Sequence, residues 1–516
     1  MKRLLLLVMF ILVCTVAWAA NRYVDPDCTI YNGDGTTTGC AVSLGGNGAY
    51  NTWPTGWLST STNYYQKAGT ADTVIVKIQL QNNQTVGSYS TGAKPIINIT
   101  VGTFDSNNDT IFDVISKNGI TIDGFDLRAT NNRCIYVTGA NNLTIKNNDL
   151  TSNVAGLYIW TNTVGTNDLL VDGNNFYTTG FSAERFNTWS RGWTITNNTF
   201  DTTGTSAAPL QIDPTSNNPR NEMVPDTSLY DFNISYNTVN NSAYGFIIVG
   251  QSITGTNYIG HNTFNNIGLS DAHNSNALQL FVDGTTIENN ICIEVTETVQ
   301  YSDGHCIELD KYTSPDLTSK NNIVRKNRAS GCTGAGIDLW GSVNGLVYDN
   351  IIYGNSVGIG LSNAVSTENA FYNNTSYGNV RGFSLASSAA ASTWKNNISS
   401  GNSSKAWYTD GSNSAPTETD NLIYGTSDIS LHASDITSDP LLTENFFLVV
   451  NSPARNVGAD LSSIFTTDKN GYTWVDWDLG ALKYPQDNSD VPSVETLNAT
   501  LAVKLNGTFK FNGVLK

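Results

Sequence analysis

The chain has 516 residues, with 27 Lys+Arg against 44 Asp+Glu, 4 His, 7 Cys and 3 Met. A net charge of −17 excludes nonspecific binding to nucleic acid or to an anionic membrane as a main activity. Only 14% of residues are charged, yet a hydrophobic share of 39% is enough to bury a core, which excludes wholesale disorder.

Residues 1–20 read as a secretory leader: Lys2-Arg3, an apolar run from Leu4 to Val16, and the small-x-small sequence Ala17-Trp18-Ala19. The run is too short to cross a bilayer, and no later stretch is long enough, so the protein is expected to be exported, extracellular or periplasmic, with no membrane span. Cys14 belongs to the leader and lacks the small residues that precede a lipid-modified cysteine. The remaining cysteines enter an oxidising compartment. Cys28 and Cys40 bracket a turn-rich loop, Asn32-Gly-Asp-Gly-Thr36, and form the expected disulfide. Cys292, Cys306 and Cys332 fall close together in the repeat below, which leaves both a second bridge and a stack of buried thiols open. Residues 21–115 are expected to form an N-terminal cap and the first coils.

From residue 116 to about 430 one phrase recurs. It reads Ile120-Thr-Ile-Asp-Gly124, Leu143-Thr-Ile-Lys-Asn147, Leu169-Leu-Val-Asp-Gly173 and Trp193-Thr-Ile-Thr-Asn197, and it continues to Thr393-Trp-Lys-Asn-Asn397. The copies are anchored at Gly124, Asn148, Asn175, Asn198, Asn237, Asn262, Asn290, Asn327, Asn350, Asn374, Asn397 and Asn421, roughly 23–24 residues apart except at insertions near 201–231, 268–276 and 296–320. Alternation inside each copy means strands, and the period with no helical pattern means a coil of short strands and turns. Stacked coils bury Ile, Leu, Val and Phe in one interior, while asparagines at equivalent turns can form amide ladders. Residues 431–487 are expected to cap the far end, since a bare coil edge invites association. A polar tail follows at 488–516.

The repeat resembles the right-handed parallel β-helix proteins of the pectate-lyase-like superfamily, carried by the Asn-Asn doublet after each alternating strand. Two flanks are similar to those of the family: Tyr23-Val-Asp-Pro-Asp27 at the start, and Ser452-Pro-Ala-Arg-Asn-Val-Gly458 with Asp478-Leu-Gly-Ala-Leu-Lys-Tyr484 near the close. The expected fold is an all-β parallel β-helix solenoid of about twelve coils with terminal capping segments. A monomer is expected, and the resemblance implies a polysaccharide partner.

A second alternating strand recurs in every coil, as in Gly156-Leu-Tyr-Ile-Trp160, Cys306-Ile-Glu-Leu-Asp310 and Gly336-Ile-Asp-Leu-Trp340. Its aliphatic positions point inward, so the alternate residues point out. One outward column reads Tyr136, Tyr158, Gln211, Ile247, Gln279, Glu308, Asp338, Gly360, Ser384, and its neighbour reads Trp160, Asp213, Val249, Phe281, Asp310, Trp340, Ser362. The coil Ser182-Ala-Glu-Arg-Phe leaves its phase open, with Glu184 or Arg185 outward. Glu308, Asp310 and Asp338 are carboxylates on adjacent coils, about 4.8 Å apart. Crowded carboxylates favour keeping a proton on one of them unless a cation neutralises them. Insertions deliver His273 and His305 to the same coils, and other long loops supply Lys311, Arg220, Glu222 or Asp226.

These residues suit two enzyme chemistries and one non-catalytic role. In hydrolysis, Glu308, Asp338 and Asp310 provide acid and base or nucleophile, with His305 and Lys311 beside them. Adjacent coils hold carboxyls at the roughly 5 Å associated with retention. In β-elimination, Lys311 or His305 abstracts a proton while Ca²⁺, held by Asp303, Asp310 and Asp338, neutralises a uronate. Trp340, Tyr158, Trp160, Gln279, His273, Arg185 and Asp213 are the candidate sugar-binding residues. The pair Gly304-His305 is similar to the Gly-His-Gly of polygalacturonases, with Cys306 in place of the second glycine. Gly336-Ile-Asp-Leu-Trp340 resembles a calcium-ligating segment of β-helix pectate lyases, with Thr333 and Gly334 where that pattern has two Asp. A surface adhesin or carbohydrate-binding module is the competing class. The preferred expectation is a secreted enzyme that cleaves glycosidic bonds, with hydrolysis ahead of elimination because three carboxylates cluster beside a single lysine.

Overall fold

The computed structural model describes residues 19–99, 110–160, 164–184, 190–202, 208–213, 229–250, 256–268, 275–297, 303–311, 319–363, 365–385, 391–411 and 416–484. The leader through residue 18 and the tail 488–516 lie outside the described residues. All regular structure among the described residues is β-strand.

Each alternating segment pairs in parallel with its counterpart one coil on, and the chain forms a right-handed parallel β-helix, the hand that parallel crossovers take. One coil runs Arg133–Thr138, Asn141–Lys146 and Asp149–Ser152 before Ala155–Trp160 opens the next. Strands equivalent to Asn141–Lys146 make a first sheet, from Ala20–Val24 to Thr417–Thr419. Those equivalent to Arg133–Thr138 make a second, from Gly56–Trp57 to Lys405–Thr409. Among the described residues the third sheet holds 14 strands, of which Ala71–Val74 and Ile96–Ile99 precede the first copy of the repeat.

The hydrophobic alternation fixes the register. Ile120, Leu143 and Leu169 pair across coils, as do Ile122, Ile145 and Val171. All six are at most 1% exposed, and a slip of one residue would turn them all to water. Aromatic rings stack inside along the same axis: Phe176 on Phe200 at 4.7 Å and Phe371 on Trp394 at 3.8 Å.

The Asn-Asn doublet has a physical reason. Its first residue turns the corner in the left-handed region (Asn147 at φ 56°, Asn197 at 55°, Asn396 at 59°), which asparagine tolerates better than most side chains. The second lies buried in a ladder. Asn148 Nδ2 donates to Asn174 Oδ1 at 3.0 Å, Asn174 does the same to Asn198, and the chain of amides runs on through Asn237 and Asn262 to Asn397 and Asn421. The rung is Asn174 rather than Asn175. At the top, Phe125 rather than Gly124 holds the equivalent place, its N–H donating to Asn148 Oδ1 at 3.0 Å. In both coils a glycine takes the corner, Gly173 at φ 64° and Gly124 at 80°, which shifts the visible phrase by one residue. The ladder closes on Asp435, whose Oδ1 accepts the Asn421 N–H at 2.8 Å.

After the last coil the chain makes bridges Trp407↔Ser427 and Leu422↔Ile436 and then returns along the corner between the first and third sheets. Asn373 Nδ2 donates to the carbonyls of Asp478 and Gly480, each at 3.0 Å, and Lys326 Nζ donates to Thr467 Oγ1 at 3.2 Å. Phe465 stacks on Tyr348 at 4.4 Å, and Trp474 and Trp477 pack with it against Leu346 and Tyr372. Disulfides join Cys28 to Cys40 and Cys292 to Cys306, while Cys134 and Cys332 are buried free thiols. The second bridge ties the third sheet to the residue that follows His305.

Candidate active site

The second sheet carries the candidate residues. Its register pairs Gln279 with Glu308, Glu308 with Asp338, and Asp338 with Gly360, so these residues form one outward column on consecutive coils. The coil of open phase contributes Ser182 to that column, between Tyr158 and Gln211, and Glu184 to the neighbouring row, between Trp160 and Asp213. Arg185, Arg220, Glu222, Asp226 and His273 lie outside the described residues, as do the side chains of Glu184 and Asp213.

Glu308 and Asp338 are 4% and 2% exposed, and each has a polar partner. Asn276 Nδ2 donates to Glu308 Oε2 at 2.5 Å, and Ser362 Oγ donates to Asp338 Oδ1 at 2.5 Å. Asn276 also anchors the loop before the strand, its Oδ1 accepting the N–H groups of Gly304 at 3.1 Å and His305 at 2.8 Å. Gly304 makes that approach at φ 85°, a conformation that favours glycine. His305 then lies against the column, its Nε2 4.0 Å from both Asp303 Oδ1 and Asp338 Oδ2. The N–H of Ala335 donates to His305 Nδ1 at 2.7 Å, so in the neutral ring the proton sits on Nε2 and faces the carboxylates.

Asp310 stands in the adjoining row. Gln279 Nε2 donates to its Oδ2 at 3.0 Å and the Lys311 N–H to its Oδ1 at 2.6 Å. Lys311 reaches the group through its backbone, and its stem packs on Gly341, where a Cβ would meet Lys311 Cβ at 2.3 Å. Gly360 has a sharper role: a Cβ there would lie 2.4 Å from Asp338 Oδ1. Trp340, two residues beyond Asp338, is 40% exposed and marks the open side of the cluster.

The other predicted aromatics are not at this spot. Tyr158 pairs with Ser182 five strands before Glu308, which at about 4.8 Å per strand is roughly 24 Å away. There Tyr136 stacks on Tyr158 at 6.0 Å, Trp160 lies 6.1 Å from Tyr158, and the Arg133 guanidinium sits 4.0 Å over the Tyr158 ring. Burial pushes the Tyr136 phenol up, and one strand further Asp113 is likewise raised by burial despite its ion pair with Lys77 at 2.7 Å. Nothing in the sequence pattern marks Asn276. Ser362 and Gly360 fall in the outward columns with no feature of the pattern to single them out.

Asp303, His305 and Glu308 each have a ligand-type atom within 4.8 Å of the others'. With Nδ1 accepting an N–H and Nε2 protonated, His305 offers a metal no lone pair, so this set suits an oxygen-seeking cation and does not suit copper. The other such group, Asp25 with Cys28 and Cys40, has its sulfurs in a disulfide.

Residues 307–477 match the family model described as "Periplasmic copper-binding protein (NosD)". No curated protein matches the chain at a significant level. Three solved structures are similar in fold. The GH136 lacto-N-biosidase from Eubacterium ramulus is 10% identical, with 78% of this chain and 67% of that one covered and a TM-score of 0.43. The surface protein and adhesin PfbA of Streptococcus pneumoniae is 14% identical over 69% of this chain and 91% of its own, with a TM-score of 0.40. The periplasmic alginate epimerase AlgG is 13% identical over 72% and 77%, with a TM-score of 0.33.

Proposed function

We propose that the protein is an exported enzyme that cleaves glycosidic bonds of an extracellular polysaccharide by hydrolysis. The observation that carries this reading is the in-register pair Glu308 and Asp338, two outward carboxyls on adjacent coils, both buried and both hydrogen-bonded. The match to a model named for periplasmic proteins agrees with export.

Strand spacing of about 4.8 Å is near the roughly 5–5.5 Å carboxyl separation of retaining enzymes. Asp338 lies between the Ser362 hydroxyl and the protonated Nε2 of His305, an arrangement that suits a carboxylate anion. Asp338 is therefore the nucleophile and Glu308 the acid. Glu308 gives its proton to the glycosidic oxygen as that bond breaks, and an Asp338 oxygen bonds to the anomeric carbon. Water then attacks the anomeric carbon, Glu308 takes the proton from the water, and Asp338 leaves as carboxylate. Trp340 offers a sugar ring a stacking face at the rim.

The neighbouring carboxylates of Asp303 and Glu308 favour one second reading, a calcium-dependent lyase. Asp303, Glu308 and Asp338 would hold the ion, and bound Ca²⁺ would neutralise a uronate carboxylate. One experiment separates the two. Neutral and uronate polysaccharides are incubated with wild type and Glu308→Gln, with and without chelator, while reducing ends and unsaturated-uronate absorbance are read together. Reducing ends without unsaturation, lost in the variant, are the expected result. Unsaturated products that vanish with chelator would replace hydrolysis by elimination, and no release from any polymer would leave a binding protein.

A further inference from the structure

A groove of about 520 Å³ opens on the outer side of the first sheet, away from the carboxylate column. Its volume falls within the roughly 300–1,000 Å³ of small-ligand sites. Thr194, Asp231, Asn233, Asn257, Tyr258 and Arg325 line it. Tyr258 is central, paired between Asn233 and Thr286 on the neighbouring coils. Its ring reclines along the strand, because residue 260 is glycine: a Cβ there would lie 2.3 Å from the Tyr258 hydroxyl. At the C-terminal end of the same strands Tyr236, 57% exposed, stacks on His261 at 4.6 Å and continues the aromatic surface.

Two further observations bear on what the groove takes. Its lining is mostly uncharged and polar, with Asn233 beside Tyr258 and Asn257 Nδ2 donating to the Asp283 carbonyl at 3.3 Å. The charges at the other end are closed on themselves. Tyr258 donates to Glu288 at 3.1 Å, Arg325 Nε donates to Glu288 at 2.5 Å, and a second Arg325 nitrogen donates to Tyr348 at 2.8 Å. Among the described residues the cation lining the groove, Arg325, is thus already paired, while Asp231 adds negative charge.

We propose that this groove is a second, non-catalytic saccharide site that takes a neutral sugar ring. The Tyr258 ring covers the apolar face of the sugar, and the Asn and Thr side chains meet its hydroxyls. Uronates are disfavoured because the described residues of the groove offer no unpaired cation to receive a carboxylate. The site makes no use of Glu308 or Asp338, so it stands or falls apart from the proposed chemistry.

The test uses the full chain made inert by Glu308→Gln. Binding of neutral and uronate polysaccharides is measured by affinity electrophoresis and calorimetry, with and without Tyr258→Ala. The expected result is binding of a neutral polymer that Tyr258→Ala weakens at least tenfold, with the same loss from Thr286→Trp, which fills the groove while keeping the tyrosine. In the Glu308-containing chain neither change should alter cleavage of short soluble oligosaccharides. Equal binding in all three proteins, binding of uronate polymers alone, or no binding of any neutral polymer would overturn the proposal. Groove-dependent binding by a chain that cleaves nothing would sink the hydrolase reading and leave the site in place.

Discussion

The coils between residues 303 and 353 present two outward faces with opposite fates. On the first sheet the outward residues Ile323, Leu346 and Tyr348 lie under Phe465, Trp474 and Trp477 of the returning segment. On the second sheet the same coils turn out Glu308 and Asp338, away from that segment. Both faces bury carboxylates, but differently. Asp349, fully buried at the corner below the returning segment, has no hydrogen bond to either carboxylate oxygen, and burial holds its carboxyl well above the ordinary range. Glu308 and Asp338 each accept a short bond from a neighbouring side chain. Burial alone therefore does not distinguish the two faces. What distinguishes the second sheet is a set of polar partners brought from other coils to hold two adjacent carboxyls.

The comparison can be broken most severely at the carboxyl pair. Glu308→Gln and Asp338→Asn should each lower reducing-end release on the order of 10²–10⁴-fold, the range for acid–base groups, with thermal unfolding little changed. On the covered face the effect should reverse. Trp477→Ala should cost about 3–5 kcal/mol in denaturant unfolding, as for other buried aromatics, while molecules still folded keep their specific activity. Replacing Cys292 and Cys306 by serine should cost about 3 kcal/mol, the value expected for a loop of this length, and should also loosen the strand that carries His305. Gly360→Ala sharpens the contrast. Its Cβ would push Asp338 Oδ1 aside, and kcat should fall up to about 10²-fold with a small change in Tm.

A different kind of effect lies at the end cap. Burial, with Asp435 beside it, raises the Glu418 carboxyl from 4.5 to about 8. The fold then holds a proton that the unfolded chain releases, so the contribution of Glu418 to stability is fully present below about pH 4.5 and is lost as pH rises toward about 8. Glu418→Gln should flatten that slope, read as Tm against pH. An unchanged slope would remove Glu418 as its source.

Much of the solenoid is readable from local rules. Alternation at Ile120 and Ile122 or at Leu143 and Ile145 names the inward face, and the parallel stack then carries every outward residue into a column. Glu308 and Asp338 could be aligned in this way because their phase is set within their own short strands, Ile307–Leu309 and Ala335–Leu339. The same rule failed where a glycine took the corner: Gly124 and Gly173 shifted the apparent ladder by one residue. It also gave Tyr158 and Trp160 the right column without their distance from the carboxylates, since a column has no center until its insertions are folded.

The sequence by itself determined the coil, the inward and outward phases and the adjacency of the carboxylates, because these depend on a strand's own period and on stacking like upon like. Only the tertiary structure decided that Asn276 grips Glu308, that Ser362 grips Asp338, and that Ala335 sets the His305 tautomer. It also decided that the last described residues return along the side of the coils. Those contacts join coils across insertions and turns, where side-chain direction is fixed by packing and hydrogen-bond satisfaction, and no periodic pattern encodes it.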